Sequence, residues 1–157
     1  MIERWRAPTI AVLGLVAVAA CQPPAPPPGP PPPARTTTSL DLETARTTLT
    51  ERLIAQGFSV DREVGGLVVR STDPRFSACP AIQVSELGRR ERSRLTRPDR
   101  TTATAVVRIE AAGARTLLTW QTSFSGSYLN RFDNLRFEEP CRSTGELERL
   151  LAGTLPN

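Results

Sequence analysis

Between positions 101 and 125 apolar residues alternate with polar ones, and this period of two is typical of β-strands with one buried face. In the segment TATAVVRIEA the apolar side carries Ala103, Ala105, Val107 and Ile109. In RTLLTWQTSF the apolar side carries Leu118, Trp120 and Phe124. Ala112-Gly113 separates the two runs and predicts the turn of an antiparallel hairpin.

Two shorter runs upstream predict a second hairpin. The segments FSVDREV and LVVRS flank Gly65-Gly66, and a glycine pair between β-type runs is typical of a tight turn. The segment AIQVSEL, which begins at Ala81, predicts a further strand.

Helical spacing appears on both sides of these strands. Leu42, Ala45, Leu49 and Leu53 recur at helical intervals. Ser39 is the predicted N-cap of a helix that begins around Leu40–Asp41, and Gly57 is its predicted end. Near the other end of the sequence, Ser143 and Glu146 have the spacing of a capping box, and the apolar face that follows carries Leu147, Leu150 and Leu151.

This order of helix, about five strands and helix predicts an α+β domain. We expect an antiparallel meander with an N-terminal and a C-terminal helix packed on one face, spanning residues 39–157.

Residues 1–38 have a different composition. A polar start, Met1–Arg6, is followed by the small apolar residues Ala7–Ala20. Fourteen residues rise only about 21 Å as a helix, less than a bilayer core of about 30 Å, so residues 1–20 predict a secretory signal peptide. Residues 21–38 predict a linker, in which the proline run from Pro23 favours a polyproline spacer of roughly 37 Å.

The four residues Val18-Ala19-Ala20-Cys21 resemble the lipobox of bacterial lipoproteins. The resemblance implies that the Cys21 thiol carries a diacylglycerol, that signal peptidase II cuts before it, and that the new terminus is acylated. An ordinary signal peptide is the alternative. In enterobacterial lipoproteins an aspartate after the cysteine favours the inner membrane, so the resemblance, with Gln22 at that position, implies the outer membrane, with the domain facing the periplasm.

Composition removes several classes of site. All 20 basic residues are arginine and there is no histidine, which excludes a Ser-His-Asp triad, a Cys-His pair and imidazole metal ligands. Without residues 1–20 the net charge is near +3, which does not by itself indicate nucleic-acid binding. The sequence predicts no metal, no cofactor and no enzymatic activity.

The two remaining cysteines, Cys79 and Cys141, form an even pair in a chain expected to be exported. We predict a disulfide, whose closed loop of about 60 residues stabilises by roughly 4 kcal/mol in the chain-entropy model. The alternative is a reactive thiol with Cys79 as nucleophile.

Two segments are candidate surfaces. The first is ELGRRERSRLTRPDR (Glu86–Arg100), predicted as a loop or strand extension at the sheet edge; its candidate anion-binding residues are Arg89, Arg90, Arg92 and Arg94. The alternative is a solvated loop that shields the sheet edge from pairing with another chain.

The second candidate surface is SYLNRFDNLRF (Ser127–Phe137), which mixes residues common at interfaces. Its alternative interpretation is a long connection whose Phe132, Leu135 and Phe137 pack on the core.

CRSTGELE (Cys141–Glu148) resembles the C-terminal end of small proteobacterial lipoproteins without assigned activity. The predicted order of elements is also similar to that of the lipoprotein subunits of the outer-membrane barrel-assembly machinery, in topology only.

The leading functional hypothesis is a lipid-anchored, non-enzymatic domain of the cell envelope. We expect its partners to be the membrane, through the anchor, and another envelope protein. The alternatives are a small periplasmic hydrolase or thiol enzyme, and a structural tether between membrane and cell wall.

Overall fold

The computed structural model describes residues 34–86 and 89–156, and for residue 86 and residues 89–93 it describes the backbone alone. The predicted signal peptide, Cys21 and the proline run lie outside the described residues. In chain order the described elements are β1 (Ala34–Thr38), α1 (Leu42–Ala55), β2 (Ser59–Glu63), β3 (Gly66–Ser71), a 3₁₀ turn (Pro74–Phe76), β4 (Ser77–Ala78), β5 (Ile82–Glu86), β6 (Arg89–Thr96), β7 (Arg100–Ala112), β8 (Arg115–Asn130), β9 (Leu135–Pro140), β10 (Arg142–Ser143) and α2 (Glu146–Gly153).

Six strands form one antiparallel sheet in the order β2-β3-β7-β8, with β1 and β9 both on the outer side of β8. β1 pairs with the first part of β8, where Ala34 lies opposite Trp120. β9 pairs with its last part, where Leu135 lies opposite Asn130. Two further pairs stand apart from this sheet: β4 with β10, and β5 with β6. We call the β5–β6 pair the ribbon.

Both helices pack on one face of the sheet, as the sequence predicts. The connection from β1 to β2 contains α1 and joins opposite edges of the sheet, so α1 covers the strands between them. One core cluster contains buried residues from both helices and from β3, β7 and β8, among them Leu49, Leu53, Val107, Trp120, Leu147 and Leu151. The guanidinium of Arg52 on α1 donates to the carbonyl of Thr154, and the hydroxyl of Thr38 donates to the carbonyl of Pro156 (2.7 Å). The strands and both helices are therefore joined around one core.

The strand prediction is confirmed where the apolar alternation is strong. The four residues predicted for the apolar side of TATAVVRIEA are buried, as are Leu118 and Trp120, while Phe124 packs at the margin of the core. The β2–β3 hairpin also forms at the predicted place, with Glu63 opposite Gly66. Gly65 in its turn has a φ of +78°, which favours glycine.

The order of elements differs from the prediction, because the first element is a strand and not a helix. Residues 34–38 form β1, in a segment that the sequence assigns to the linker. The sequence ARTTT carries little apolar character. Its strand conformation is stabilised by pairing with β8, which is distant in sequence.

The predicted cap of α1 is wrong by two residues. The N-cap is Asp41, whose carboxylate accepts hydrogen bonds from the backbone N–H groups of Glu43 and Thr44 (both 3.1 Å), whereas Ser39 is exposed. Hydrogen bonds from the hydroxyl and then the N–H of Thr44 lower the pKa of the Asp41 carboxyl from its ordinary value of 3.8. The helix end is confirmed, since Gly57 follows it with a φ of +86°.

The predicted capping box of α2 is also wrong. The N-cap is Gly145, with a φ of +81° and without a side-chain cap. Ser143 instead accepts from the N–H of Gly145 (2.8 Å) and donates to the carboxylate of Glu148. The same carboxylate accepts from the hydroxyl of Thr122 (2.8 Å), in the part of β8 between its pairings with β1 and β9.

The two candidate segments form more regular structure than expected. The arginine-rich segment predicted as a loop or strand extension contains the whole of β6, and its partner is β5 in the ribbon, not an edge of the six-stranded sheet. Ser127–Phe137 is not a long connection, because β8 continues to Asn130 and β9 starts at Leu135. Leu135 is exposed, contrary to its expected packing.

We expect Asp41→Ala to lower the thermal unfolding midpoint at neutral pH, because it removes the acceptor for two N–H groups. A carboxyl group whose pKa is lower in the folded state stabilises fully above its unfolded pKa and loses this effect as the pH falls through the folded pKa. The difference from wild type should therefore shrink below pH 3.8 when unfolding is followed by circular dichroism. Ser39→Ala is the control, and an equal effect of this control would contradict the assigned cap.

Candidate functional site

A groove lies between the ribbon and the end of β8. Its volume is about 510 Å³. Apolar side chains that line it include Val84, Leu129 and Phe132, and arginines that line it are Arg94, Arg97 and Arg131. We call this feature the arginine groove.

Three separate segments supply these residues. In the ribbon, Val84 lies opposite Arg94, so one cross-strand pair contributes an apolar group and a cation. Arg97 and Pro98 follow the end of β6, and the N–H of Asp99 then donates to the carbonyl of Ser127 (2.8 Å) as the chain enters β7. Arg131 directly follows β8, in the turn that leads to β9.

Among the described residues, the cations of the groove have no carboxylate partner. Within the described part of the chain, none of Arg94, Arg97 and Arg131 has a carboxylate oxygen within 4 Å of its side-chain nitrogens. Asp99 also lines the groove, but it pairs with Arg136 at 3.3 Å. The groove therefore has a net positive charge, and exposed guanidinium groups can bind phosphate or carboxylate oxygens in a bidentate manner.

The apolar side chains that line the groove range from buried to exposed. Val84 is buried and Leu129 and Phe132 are half-buried, whereas Leu95 is 76% exposed. Leu95, the residue after Arg94 on β6, adds an exposed apolar side chain to the lining of the groove. A ligand with both an anionic group and an apolar part matches this surface.

The sequence identifies part of this site. Arg94 lies in the groove as a candidate anion-binding residue, and the side chains of Arg89, Arg90 and Arg92 lie outside the described residues. Arg97 belongs to the same arginine-rich segment and Arg131 to SYLNRFDNLRF, but the sequence pattern does not mark either as a site residue. Only the packing of the ribbon against the end of β8 brings the two segments together.

The predicted disulfide is present, and it joins the segment before the ribbon to the end of β9. Cys79, three residues before β5, is bonded to Cys141, which directly follows β9. The N–H of Cys141 donates to the carbonyl of Phe124 on β8 (2.9 Å). The start of the ribbon is thereby attached to the edge of the sheet.

Tyr128 makes a second attachment at the same place. Its side chain is fully buried, its hydroxyl donates to the carbonyl of Pro80 (2.7 Å), and its ring stacks on Phe137 with centroids 5.7 Å apart. Burial, and to a smaller extent the carboxylate of Glu139, raise the pKa of the Tyr128 hydroxyl above its ordinary value of 10.0. The hydroxyl therefore stays a hydrogen-bond donor at neutral pH.

Gly126 provides the space for these contacts. A Cβ atom at this position would lie 3.2 Å from both disulfide sulfurs and 3.0 Å from a ring carbon of Tyr128. The absence of a side chain at Gly126 lets the disulfide lie directly against β8.

Metal-ligand groups and membrane-spanning helices are absent from the described part of the chain. No group of three or more cysteine or carboxylate side chains there could hold a metal ion. None of the described helices is both long enough and apolar enough to cross a membrane. No protein-family model matches the chain, and a comparison with curated proteins gave no match.

We expect Gly126→Ala to destabilise the oxidised protein by about 1–3 kcal/mol, the usual cost of overpacking. Gly153→Ala is the matched control, because a Cβ atom there meets nothing within 4 Å and alanine favours a helix. Urea unfolding of both variants measures the difference. Equal stabilities of the two variants would contradict the tight contact at Gly126.

Proposed function

We propose that this chain is a lipid-anchored lipoprotein of the bacterial cell envelope, whose domain binds an anionic envelope component without catalysing a reaction. The observation that carries the binding role is the arginine groove, in which three guanidinium groups without a carboxylate partner among the described residues surround an apolar floor. Binding sites of this kind combine an apolar lining with a few placed polar groups.

The proposed cellular location rests on the sequence. The charged start, short apolar run and Val18-Ala19-Ala20-Cys21 support export and acylation at Cys21. Several acyl chains support lasting attachment, since each buried methylene contributes about 0.8 kcal/mol. The disulfide between Cys79 and Cys141 is compatible with an oxidising compartment. We assign the outer membrane, facing the periplasm, on the basis of Gln22.

A non-enzymatic role agrees with the chemistry of the chain. Both cysteines in the described residues are joined to each other, so the Cys79 thiol is not available as a nucleophile. The chain also lacks histidine, the usual general base at neutral pH.

Replacement of Cys21 tests the anchor. We expect wild-type protein expressed in a bacterium with lipoprotein processing to incorporate labelled palmitate and to stay in the membrane fraction through a wash at about 1 M salt, which screens exposed charges. Cys21→Ala should incorporate no label. A variant with Cys79→Ser and Cys141→Ser is the matched control and should keep the label.

Two results would contradict the proposal. One is label on Cys21→Ala, and the other is release of the wild-type protein by salt alone. The first would show acylation at another site, and the second would show that attachment depends on exposed charges.

A further inference from the structure

We propose that the arginine groove binds the phosphate headgroups of anionic membrane lipids, so that the domain contacts the bilayer surface in addition to its anchor. This inference identifies the anionic component of the proposed function and rests on it for orientation. The contact itself is a property of the groove and can be measured without the anchor.

Charge and shape support a phosphate beside an apolar region. Arg94, Arg97 and Arg131 offer guanidinium donors to phosphate oxygens. Leu95 adds an exposed apolar side chain to the lining of the same groove. A lipid headgroup presents these two features together, since its phosphate lies just above the glycerol and the acyl chains. Arginine and leucine side by side are suited to such a boundary, where the cation stays with the headgroups and the apolar group enters.

The direction in which the chain enters the domain favours a membrane over an acidic protein. β1 runs antiparallel to β8 with Ala34 opposite Trp120, so the amino-terminal end of β1 points toward the groove end of β8. From Trp120 to Leu129, which lines the groove, the strand rises about 30 Å. The amino-terminal end of β1 and the groove therefore lie toward the same end of β8.

The length of the tether is sufficient for this contact. The twelve residues from Pro23 to Ala34 span roughly 37 Å when extended, which exceeds the 30 Å or so between the tether entry and the groove. A chain anchored at Cys21 can thus bring the groove to the surface that holds the anchor.

The test uses the mature chain, residues 21–157 with Cys21→Ser, exported with a cleavable signal in place of residues 1–20. Sedimentation measures its binding to vesicles of phosphatidylcholine with and without phosphatidylglycerol. We expect binding only to the anionic vesicles and release at about 1 M salt. The triple variant Arg94→Gln, Arg97→Gln, Arg131→Gln should bind about a hundredfold more weakly, since each arginine near an anionic surface contributes roughly a factor of five.

A matched triple variant separates the site from the net charge. Arg62, Arg108 and Arg115 are exposed and lie on β2, β7 and the start of β8, outside the groove. Their replacement by glutamine removes the same charge and should weaken vesicle binding less than fivefold. Unfolding midpoints close to wild type for both triple variants would show that all six side chains are dispensable for folding.

Three results would overturn the proposal. Equal loss in the two triple variants would mean that only the net charge matters. Saturation of the groove by soluble glycerol phosphate, with vesicles binding no better, would indicate a free phosphate ligand. Binding of polyglutamate but not of anionic vesicles would indicate an acidic protein partner. The palmitate experiment is independent of all three, so failure of the groove contact and failure of the anchor are distinguishable.

Discussion

The uninterrupted pairing of β7 with β8 is the constraint on which the rest of the structure depends. The register runs without a bulge from Arg100 opposite Ser127 to Ala112 opposite Arg115. Because side chains alternate strictly over this length, the face that buries Trp120 against the helices is the same face that carries Gly126 and Tyr128. One hairpin therefore provides both the floor of the core and the strand against which the disulfide packs.

The sequence predicts the elements whose stability is local or whose apolar pattern is strong. Helical spacing identified α1 and α2, and alternation identified β7 and β8, because burial on one face imposes those periods. β1 and β6 have the polar sequences ARTTT and RRERSRLT. They are strands because they pair with β8 and β5, and the hydrophobic pattern does not predict this pairing. The caps differ by a few residues, since several neighbouring side chains are able to accept from a helix terminus.

The same distinction applies to the site. The pairing of Cys79 with Cys141 is predictable because these two cysteines remain once Cys21 is set aside as the expected lipidation site. The arginine-rich neighbourhood of Arg94 makes it a predictable candidate. Arg97 and Arg131 join it because the ribbon packs beside the end of β8, and this contact follows from tertiary structure. A binding surface built from segments of distant sequence gives no signal in either segment alone.

The contacts of β1 have a consequence for the order in which the chain can fold. This strand needs the first part of β8 as its partner, and Thr38 bonds to Pro156, 118 residues away. A chain that emerges from its amino-terminal end therefore leaves residues 34–38 unpaired until residues 116–120 of β8 have followed. Such non-local closure is slow in comparison with helix formation. The domain thus completes its core in a late step that joins its first strand to its final helix, and a chain arrested before that step exposes the edge of β8.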